Sequence, residues 1–515
     1  MSGGSLNTTA PRLHKNALYL VPINGSIDWL YQVVYTVAIG SKKMPSTTAA
    51  FAVKALLCSS LFSLINFAAA SPQQWKQWTC DELTPNLCEL QVESGSVTIK
   101  SIPVHYWRYT RKKNDDGNNK NDDDQSMSNS NNSSISNSII ALHGGPGWPH
   151  SYLLPLKQLA CRGDTAEVIF YDQAGCGESV PYANTTATVS NTSADTTIND
   201  AASSVKDQYP HLLDPIYYSE IELPTLIHHW KLQHYHVLGH SWGTILAQLF
   251  ALNYVNKHNK NTTVEGFNTK EEGLQSLILS GPISNAQAYI SAQWNSADQN
   301  NLASLPPFVQ HRIHALEESK AYDSMEYKAI DSVLSTFFTL RTAPPPDCFG
   351  DSAAGVNEEV YVGMQGASEF TISGVLGDLD LTSRLPELSV PVLLTHGKYD
   401  TMRPSTVKAI QDQIPISERV MFPHSGHVSM IDDAGLMNDV VASFIHRVEE
   451  GVEIVGMNEG ETTKAAAAAD GTVEEGDAVK DSPSHSWTWI KVVTAFLAGL
   501  VIGELKIGRR RNGDG

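Results

Sequence analysis

Basic residues are scarce in this chain. Its 515 residues include 36 Lys and Arg against 55 Asp and Glu, for a formal net charge of −19 at pH 7. This excess of acid argues against nucleic acid as a partner. The chain also lacks a glycine-rich nucleotide-binding fingerprint, and we expect no cofactor. One group of histidines lies close together, but no Cys or acid completes its ligand set, so no metal is expected. These are His228, His229, His234 and His236.

Two apolar runs near the ends of the chain predict membrane-related segments. Residues 44–70 contain an apolar run that follows lysines and ends in small residues, as a secretory signal peptide does. An uncleaved anchor is the alternative, and residues 1–43 would be an N-terminal extension. The run Trp489 to Leu505 would reach about 26 Å as a helix, at ~1.5 Å per residue. That length just crosses a bilayer, so 487–505 is predicted as a transmembrane helix.

Arg509 to Arg511 follow this run, in a basic tail formed by residues 506–515. Basic residues stay on the cytosolic side of a membrane. We therefore expect single-pass association with a membrane of the secretory pathway, with the main domain lumenal or extracellular. The alternative for residues 487–505 is an amphipathic or buried terminal helix.

Cysteines and glycosylation signals fit an oxidising compartment. Cys80 and Cys88 lie close together in the sequence, and we expect them to pair. Apart from Cys58, which lies in the predicted signal peptide, Cys161, Cys176 and Cys348 remain; three is an odd number, so at least one should be free. Sequons that predict glycosylation begin at Asn131, Asn132, Asn184, Asn191 and Asn261.

The most informative segment is Gly239 to Gly243, a G-x-S-x-G sequence centred on Ser241. An apolar, strand-like run precedes it, and residues 244–252 have the apolar spacing of a helix. Strand, G-x-S-x-G and helix are the context of a nucleophile elbow, whose sharp turn exposes the serine hydroxyl at a helix N-terminus. Only glycine tolerates the positions beside the serine in such a turn. The alternative is an ordinary turn.

Two downstream residues complete a catalytic set with Ser241. Asp400 follows a buried strand at residues 391–396, and His427 follows Gly426. Ser, Asp and His in this order form the triad of α/β-hydrolases. Ser241 would be the nucleophile, His427 the base that takes its proton, and Asp400 the group that orients the base. The alternatives left open are His424 as base and Asp432 or Asp433 as acid.

A second glycine-rich loop, His143 to Gly147, follows an apolar strand at residues 139–142. Such a loop leaves backbone N–H groups free to point at an anion. We predict an oxyanion hole formed by the N–H groups of Gly145 and Trp242. The alternative for this loop is a plain Gly/Pro turn.

Together these segments resemble the proline iminopeptidase and tricorn-interacting aminopeptidase group of α/β-hydrolases, over roughly residues 90 to 450. The segments that carry the resemblance are 143–147, 172–179, 239–243 and 364–370, with the elements around Asp400 and His427. The resemblance implies an α/β fold, with a mostly parallel central sheet flanked by helices and an inserted helical cap. It also implies cap carboxylates that hold the free amino terminus of a substrate, and Glu369 matches one of them by motif.

The sequence departs from this family at two places. Ala174 stands where the family usually has Arg. A second amine-binding Glu is expected in the cap helix before Glu369, but residues 332–341 contain no acid, and Asp331 is the nearest candidate. These departures weaken the case for strict aminopeptidase specificity and leave the case for a serine hydrolase intact.

The predicted domain order follows from these motifs. The first part of the hydrolase core covers 71–284, with a disordered Asn/Asp/Ser-rich insert at 112–138. The cap covers 285–385, the second part of the core 386–448, and an acidic linker 449–485.

The function expected from the sequence is that of a serine hydrolase. It would be an aminopeptidase that releases N-terminal residues, by a Ser-His-Asp triad and an acyl-enzyme, from a peptide or small amide or ester with a free N-terminus. An esterase, lipase or amidase on the same scaffold is the alternative, because fold does not fix substrate. The complete triad argues against a non-catalytic relative.

Overall fold

The structure, a computed structural model, describes residues 76–112, 137–163, 165–181, 204–255, 273–298 and 300–454. Contacts divide the chain into Met1–Lys76 and Gln77–Gly515, and the elements described below belong to the second unit. Several predicted features lie outside the described residues. They are the extension 1–43, the signal peptide 44–70, nearly all of the insert 112–138, the five sequons, the linker beyond residue 454, the helix 487–505 and the tail 506–515.

The membrane predictions require correction. Within the residues that the structure describes, no helix combines the length and the apolar character needed to cross a membrane. Crossing takes roughly 20 consecutive, mostly apolar residues in a helix. The predictions of a signal peptide, a transmembrane helix, single-pass membrane association and a secretory-pathway membrane location are therefore withdrawn.

The described core is built on one eight-stranded sheet, in the order β1-β2-β4-β3-β5-β6-β7-β8. β1 pairs with β2, and β2 with β4, in antiparallel fashion, whereas every pairing from β4 across to β8 is parallel. The predicted mostly parallel central sheet is thereby confirmed. The strands are Leu90–Ile99, Ile102–Arg111, Asn137–Leu142, Thr165–Tyr171, His234–His240, Gly273–Ser280, Val392–Gly397 and Ser417–Phe422.

The first hairpin turns at two residues that carry no usual turn signal. Lys100 and Ser101 form the turn between β1 and β2, and both have positive φ (49° and 69°). Two consecutive residues with positive φ match the right-handed twist of the flanking strands. A Lys-Ser pair lacks the Asn or Gly that usually marks such a turn, so the sequence gives no signal of it.

The central strands carry apolar side chains on both faces because helices cover both sides of the sheet. All residues of β3, β5 and β7 are buried. The helices before and after the elbow are α1 (Val205–Gln208), α2 (Pro215–Tyr217), α3 (Leu223–Trp230) and α4 (Trp242–Leu249). Tyr218–Glu222 joins α2 to α3 as a π-helical turn, and Phe250–Val255 extends α4 in the same way. A 3₁₀ helix at His150–Cys161 follows β3, and shorter ones occur at Cys80–Glu82 and Pro210–Leu213.

A helical insertion separates β6 from β7. Its α-helices are α5 (Ala286–Gln293), α6 (Pro307–Glu318), α7 (Met325–Phe338), α8 (Asp347–Ala354) and α9 (Glu358–Met364). Short 3₁₀ helices lie at Leu302–Ser304, Val375–Asp378 and Thr382–Glu387. α6 and α7 share a small apolar cluster that includes Ile313, Ile330 and Phe370. The last α-helices of the core are α10 (Pro404–Gln411), α11 (Ser429–Asp432) and α12 (Ala434–Glu449).

The two disulfides differ from the predicted pairing of Cys80 with Cys88. Cys80 is bonded to Cys348 in α8, and Cys88 is bonded to Cys161. Nearness in sequence misled the prediction, because the N-terminal segment runs along the insertion. The Cys80 N–H also donates to the Asp347 carboxylate at 2.9 Å. Cys176 is free and buried, which confirms the predicted odd thiol.

An acid does lie beside the clustered histidines, although it is distant in sequence. Glu449, the last residue of α12, contacts His234 Nε2 at 2.9 Å and His236 Nε2 at 3.0 Å. Burial alone would raise the pKa of Glu449, but its hydrogen bonds with His236 and His234 lower it from 4.5 to about 2. These contacts attach the C-terminal end of α12 to the start of β5, the strand that leads to Ser241.

Glu449→Gln should lower the free energy of unfolding at pH 7 by about 2 kcal/mol, since a carboxylate whose pKa is depressed stabilises the fold wherever it is ionised. That contribution is complete above pH 4.5 and is lost as the pH falls toward 2. Urea unfolding at several pH values measures it, with the exposed neighbour Glu450→Gln as control. An equal loss of unfolding free energy in both variants would contradict this stabilising role of Glu449. So would a loss in Glu449→Gln that stays the same in acid.

Candidate active site

The turn at Ser241 has an uncommon backbone conformation. Ser241 has φ 56° and ψ −121°, a region that side-chain-bearing residues rarely occupy. It stands between the end of β5 and Trp242, the first residue of α4. Its N–H donates to the Ser280 carbonyl at 2.9 Å, which ties the turn to the end of β6. The predicted strand, sharp turn and helix are all present.

The glycines on either side of Ser241 are required by close packing. A Cβ at Gly239 would lie 2.3 Å from the Gly243 carbonyl oxygen, and a Cβ at Gly243 would lie 2.3 Å from the carbonyl oxygen of Leu142. Real Cβ atoms do not approach backbone oxygens this closely. Both glycines of the G-x-S-x-G sequence are therefore needed, Gly239 because it packs against Gly243 and Gly243 because it packs against the end of β3.

Asp400 and His427 are in direct contact. The His427 Nδ1 to Asp400 Oδ1 distance is 2.8 Å, and both side chains are almost fully buried. The Met402 N–H also donates to Asp400 Oδ1, at 2.8 Å, and Arg403 Nη1 donates to the Asp400 carbonyl at 2.7 Å. His427 Nε2 has no hydrogen-bond partner in the described part of the chain. That nitrogen is the atom that would accept a proton from Ser241.

Burial lowers the pKa of His427, but the Asp400 charge, the hydrogen bond to Asp400 and the Glu369 charge outweigh it. The net effect raises the pKa of His427 above its ordinary 6.5.

The alternative acids hold the loop that carries His427. The Asp432 carboxylate accepts the N–H of Gly426 at 2.9 Å, and Asp433 accepts the Ser425 hydroxyl at 2.6 Å. The His427 N–H donates to the Phe338 carbonyl at the end of α7, at 2.8 Å. The alternative base, His424, is exposed. The geometry thus brings His427 to Asp400. Asp432 and Asp433 hold the His427 loop instead, and His424 faces solvent.

The predicted oxyanion loop faces the elbow across the ends of β3 and β5. Trp242 is the first residue of α4, where backbone N–H groups have no partner within the helix. Gly145 adopts a positive φ of 40°. Trp242 Nε1 donates to Gln173 Oε1 at 2.7 Å, and Gln173 Nε2 donates to the His143 carbonyl at 3.0 Å. Gln173 therefore connects the loop after β3 to the residue after Ser241.

Glu369 lies beside His427. Its Oε1 is 3.8 Å from His427 Nε2, and its side chain is 21% exposed, so a substrate can reach it. Burial raises the pKa of Glu369, while His427 and the hydrogen bond from the Tyr361 hydroxyl, at 3.1 Å, oppose that rise. The Tyr289 hydroxyl donates to the Glu369 backbone carbonyl. Sequence reasoning did not find the two tyrosines, because they lie on separate helices.

Asp331, on α7, contacts the residue that precedes Glu369. Its Oδ1 accepts the Ser368 hydroxyl at 3.0 Å, one residue before Glu369. Burial raises the pKa of Asp331 to about 6; the Ser368 hydrogen bond opposes this rise, and the Glu369 charge adds to it. The insertion thus places Asp331 in contact with the residue before Glu369, while Glu369 itself lies near His427 Nε2.

Ala174, where Arg was expected, faces another buried carboxyl group. Its N–H donates to Glu222 Oε2 at 3.1 Å. Burial raises the pKa of Glu222 to about 8, and the hydrogen bond from Ala174 opposes that rise only in part. Glu222 is therefore largely protonated at neutral pH. Neutralisation by a proton explains how this carboxyl group remains buried with no basic side chain from position 174.

Comparison with known proteins identifies the fold. The sequence profile of the alpha/beta hydrolase family matches residues 139–440, more than half of the chain. This chain belongs to the α/β-hydrolase family. It is 31% identical over 311 residues to a proline iminopeptidase of Heyndrickxia coagulans, covering 60% of this hydrolase and 91% of the relative. A proline iminopeptidase of Thermoplasma volcanium is 27% identical over 310 residues, with 60% and 88% coverage.

Solved structures agree on the fold. The crystal structure of a proline iminopeptidase from Mycobacterium smegmatis matches with a TM-score of 0.51 at 22% identity, covering 70% of this hydrolase and 99% of that chain. The predicted α/β-hydrolase fold and the resemblance to the proline iminopeptidases are thereby confirmed. The protein is a hydrolase and is aminopeptidase-like at this level of similarity.

With His427 as the base, kcat/KM should fall in acid with a midpoint above pH 6.5, because only neutral imidazole accepts a proton. Glu369→Gln removes one of the charges that raise the His427 pKa, so it should move that midpoint down. The measurement is kcat/KM against pH on an ester that has no amino group, so that only the enzyme titrates. A midpoint at or below 6.5 in the unmodified enzyme would refute this prediction.

Proposed function

We propose that this hydrolase is a serine aminopeptidase that releases single residues from the N-terminus of peptides. The observation that carries the proposal is the position of the Glu369 carboxylate, 3.8 Å from His427 Nε2. A free α-amino group has a pKa near 8 and is cationic at neutral pH. A carboxylate this close to the base can hold that cation only when the scissile bond follows the first residue.

The proposed reaction uses the predicted triad. Ser241 Oγ attacks the scissile carbonyl as His427 Nε2 takes its proton, and Asp400 stabilises the imidazolium that forms. The N–H groups of Gly145 and Trp242 stabilise the oxyanion. His427 then gives the proton to the leaving amine, and water releases the first residue from the acyl-enzyme. In free enzymes the bond between nucleophile and base is often open and closes around substrate, consistent with the unpartnered His427 Nε2.

The proposed recognition of the amino terminus rests on two carboxyl groups. Glu369 is the primary partner, and a charge-assisted hydrogen bond of this kind contributes roughly 1.5–3 kcal/mol. Asp331 is secondary, because a pKa of about 6 leaves part of it protonated near neutral pH. A bound cation would favour its ionised form. The name of the relatives, proline iminopeptidase, makes an N-terminal proline the first residue to test.

A second candidate is an esterase or amidase without a requirement for an amino group. The partly protonated Asp331 favours it, since one of the two carboxyl groups is then a weak partner for a cation. The two candidates share the triad and differ only in the need for a free N-terminus.

Ser241→Ala should reduce turnover by on the order of a million-fold and abolish covalent labelling by a fluorophosphonate probe. The loss of the attacking oxygen is the reason, and the melting temperature should show that the fold is intact. Ser405→Ala, on the surface helix α10, is a matched control that should keep full labelling. Labelling that persists in the Ser241 variant would remove Ser241 from the mechanism.

Prolyl and alanyl arylamides with a free amino group should be cleaved, and their N-acetylated forms should not. Glu369→Gln should lower kcat/KM for the free substrates by about ten- to a hundred-fold, at ~1.4 kcal/mol per decade. Glu358→Gln, an exposed carboxylate of the same insertion, should change nothing. Equal activity on free and blocked substrates would reject the aminopeptidase and leave the esterase or amidase.

A further inference from the structure

A buried chain of hydrogen bonds runs behind the proposed catalytic groups. The Gly144 N–H lies 2.6 Å from the Tyr152 hydroxyl oxygen, and that oxygen lies 2.7 Å from His240 Nδ1. His240 Nε2 lies 3.0 Å from the backbone carbonyl oxygen of His427. All four residues are buried.

The end groups fix the direction of every proton in this chain. A carbonyl only accepts, so His240 Nε2 carries a hydrogen and donates it to His427. Neutral His240 then has a bare Nδ1, which accepts from the Tyr152 hydroxyl. The Tyr152 oxygen accepts from the Gly144 N–H, because a backbone N–H can only donate. Each donor thus meets one acceptor, with no conflict.

The surroundings keep His240 in this neutral form. Burial lowers the pKa of His240 far below its ordinary value, and the neighbouring His427 lowers it further. The His240 and His427 rings lie 4.5 Å apart, and the Tyr152 ring meets His240 edge-on at 5.3 Å. Protonation of His240 would place a hydrogen on Nδ1, and the Tyr152 hydroxyl would then have to turn its own hydrogen away from this nitrogen.

This chain of hydrogen bonds connects three parts of the proposed machinery. Gly144 immediately precedes Gly145, the proposed oxyanion donor. His240 immediately precedes Ser241, and the carbonyl that it binds belongs to His427. These parts come from three separate segments of sequence, the loops after β3, β5 and β8, and the side chains of Tyr152 and His240 join all three.

We propose that Tyr152 and His240 are positioning residues, which fix the oxyanion loop and the base relative to Ser241 through this hydrogen-bonded chain. The inference rests on the roles proposed for Ser241, His427 and Gly145, and it is independent of the amine-binding role of Glu369. Small displacements of such groups are costly, since catalysis depends on donors and base already being in place when charge develops.

The test compares variants that break the chain at different points. Tyr152→Phe removes the link between Gly144 and His240 with little change of volume. His240→Gln keeps a side-chain donor for the His427 carbonyl, whereas His240→Met keeps the bulk and removes both links. Tyr171→Phe is the control, because Tyr171 is also fully buried and its hydroxyl has no hydrogen-bond partner in the described structure.

Steady-state kinetics on a free-amine arylamide and on a neutral ester provide the readout, with melting temperatures alongside. We expect Tyr152→Phe to lower kcat about tenfold on any substrate cleaved, with KM within about twofold, since substrate binding is untouched. His240→Met should lose about a further tenfold, and His240→Gln should recover most of that further loss. Adding Tyr152→Phe to His240→Met should cost clearly less than Tyr152→Phe costs alone, because the link to His240 is already broken and only the Gly144 contact remains to be lost.

Three results would overturn the proposal. One is a Tyr152→Phe enzyme with the kcat of Tyr171→Phe. Another is full additivity in the double variant. The third is a loss of kcat that follows the loss of melting temperature across the variants, or that comes with a rise in KM of the same factor. General destabilisation would give either pattern. If only the ester is cleaved, the aminopeptidase proposal fails, and the ester kinetics still test the positioning chain.

Discussion

The structure depends most on the backbone conformation of Ser241. Holding a serine at φ 56° and ψ −121° is unfavourable by itself, so surrounding contacts must enforce it. They do so because the ends of β3 and β5 approach until Gly239 and Gly243 touch backbone oxygens. Parallel pairing of these two buried strands therefore exposes the Ser241 hydroxyl, and the sheet holds the turn rigidly in this conformation.

Around that turn, charge is distributed on opposite sides of one imidazole. Asp400 contacts Nδ1 of His427 from the core, and Glu369 stands near Nε2 from the insertion. Both carboxylates favour the protonated ring, yet a general base has to begin neutral. A substrate amine that binds Glu369 would screen one of these two charges. Binding of the proposed substrate and readiness of the base are thereby linked through the same carboxylate.

Features that depend on neighbouring residues in the sequence could be predicted from the sequence alone. The glycine spacing around Ser241 and the apolar runs of β3 and β7 predicted the elbow and two strands, whereas the mostly parallel sheet was implied by the family resemblance. Two features that were not predicted depend on distant segments. The partner of Cys80 lies in α8, and the acid beside His236 is the last residue of α12. The Lys100-Ser101 turn lacks the usual turn residues, and the membrane predictions rested on apolar runs and the residues beside them. For the site, Asp400, His427 and Glu369 were predicted by motif, whereas Tyr152 and His240 act through contacts that no spacing reveals.

The disulfide between Cys80 and Cys348 closes a very long loop, with a sequence separation of 268 residues. Most of the sheet, the elbow and the first helices of the insertion lie within that loop. A protease that cuts the backbone once, anywhere between these two cysteines, would therefore release no fragment. In a denaturant the two pieces would stay joined until a reductant opened this bond, together with the Cys88–Cys161 bond where the cut falls between those two residues.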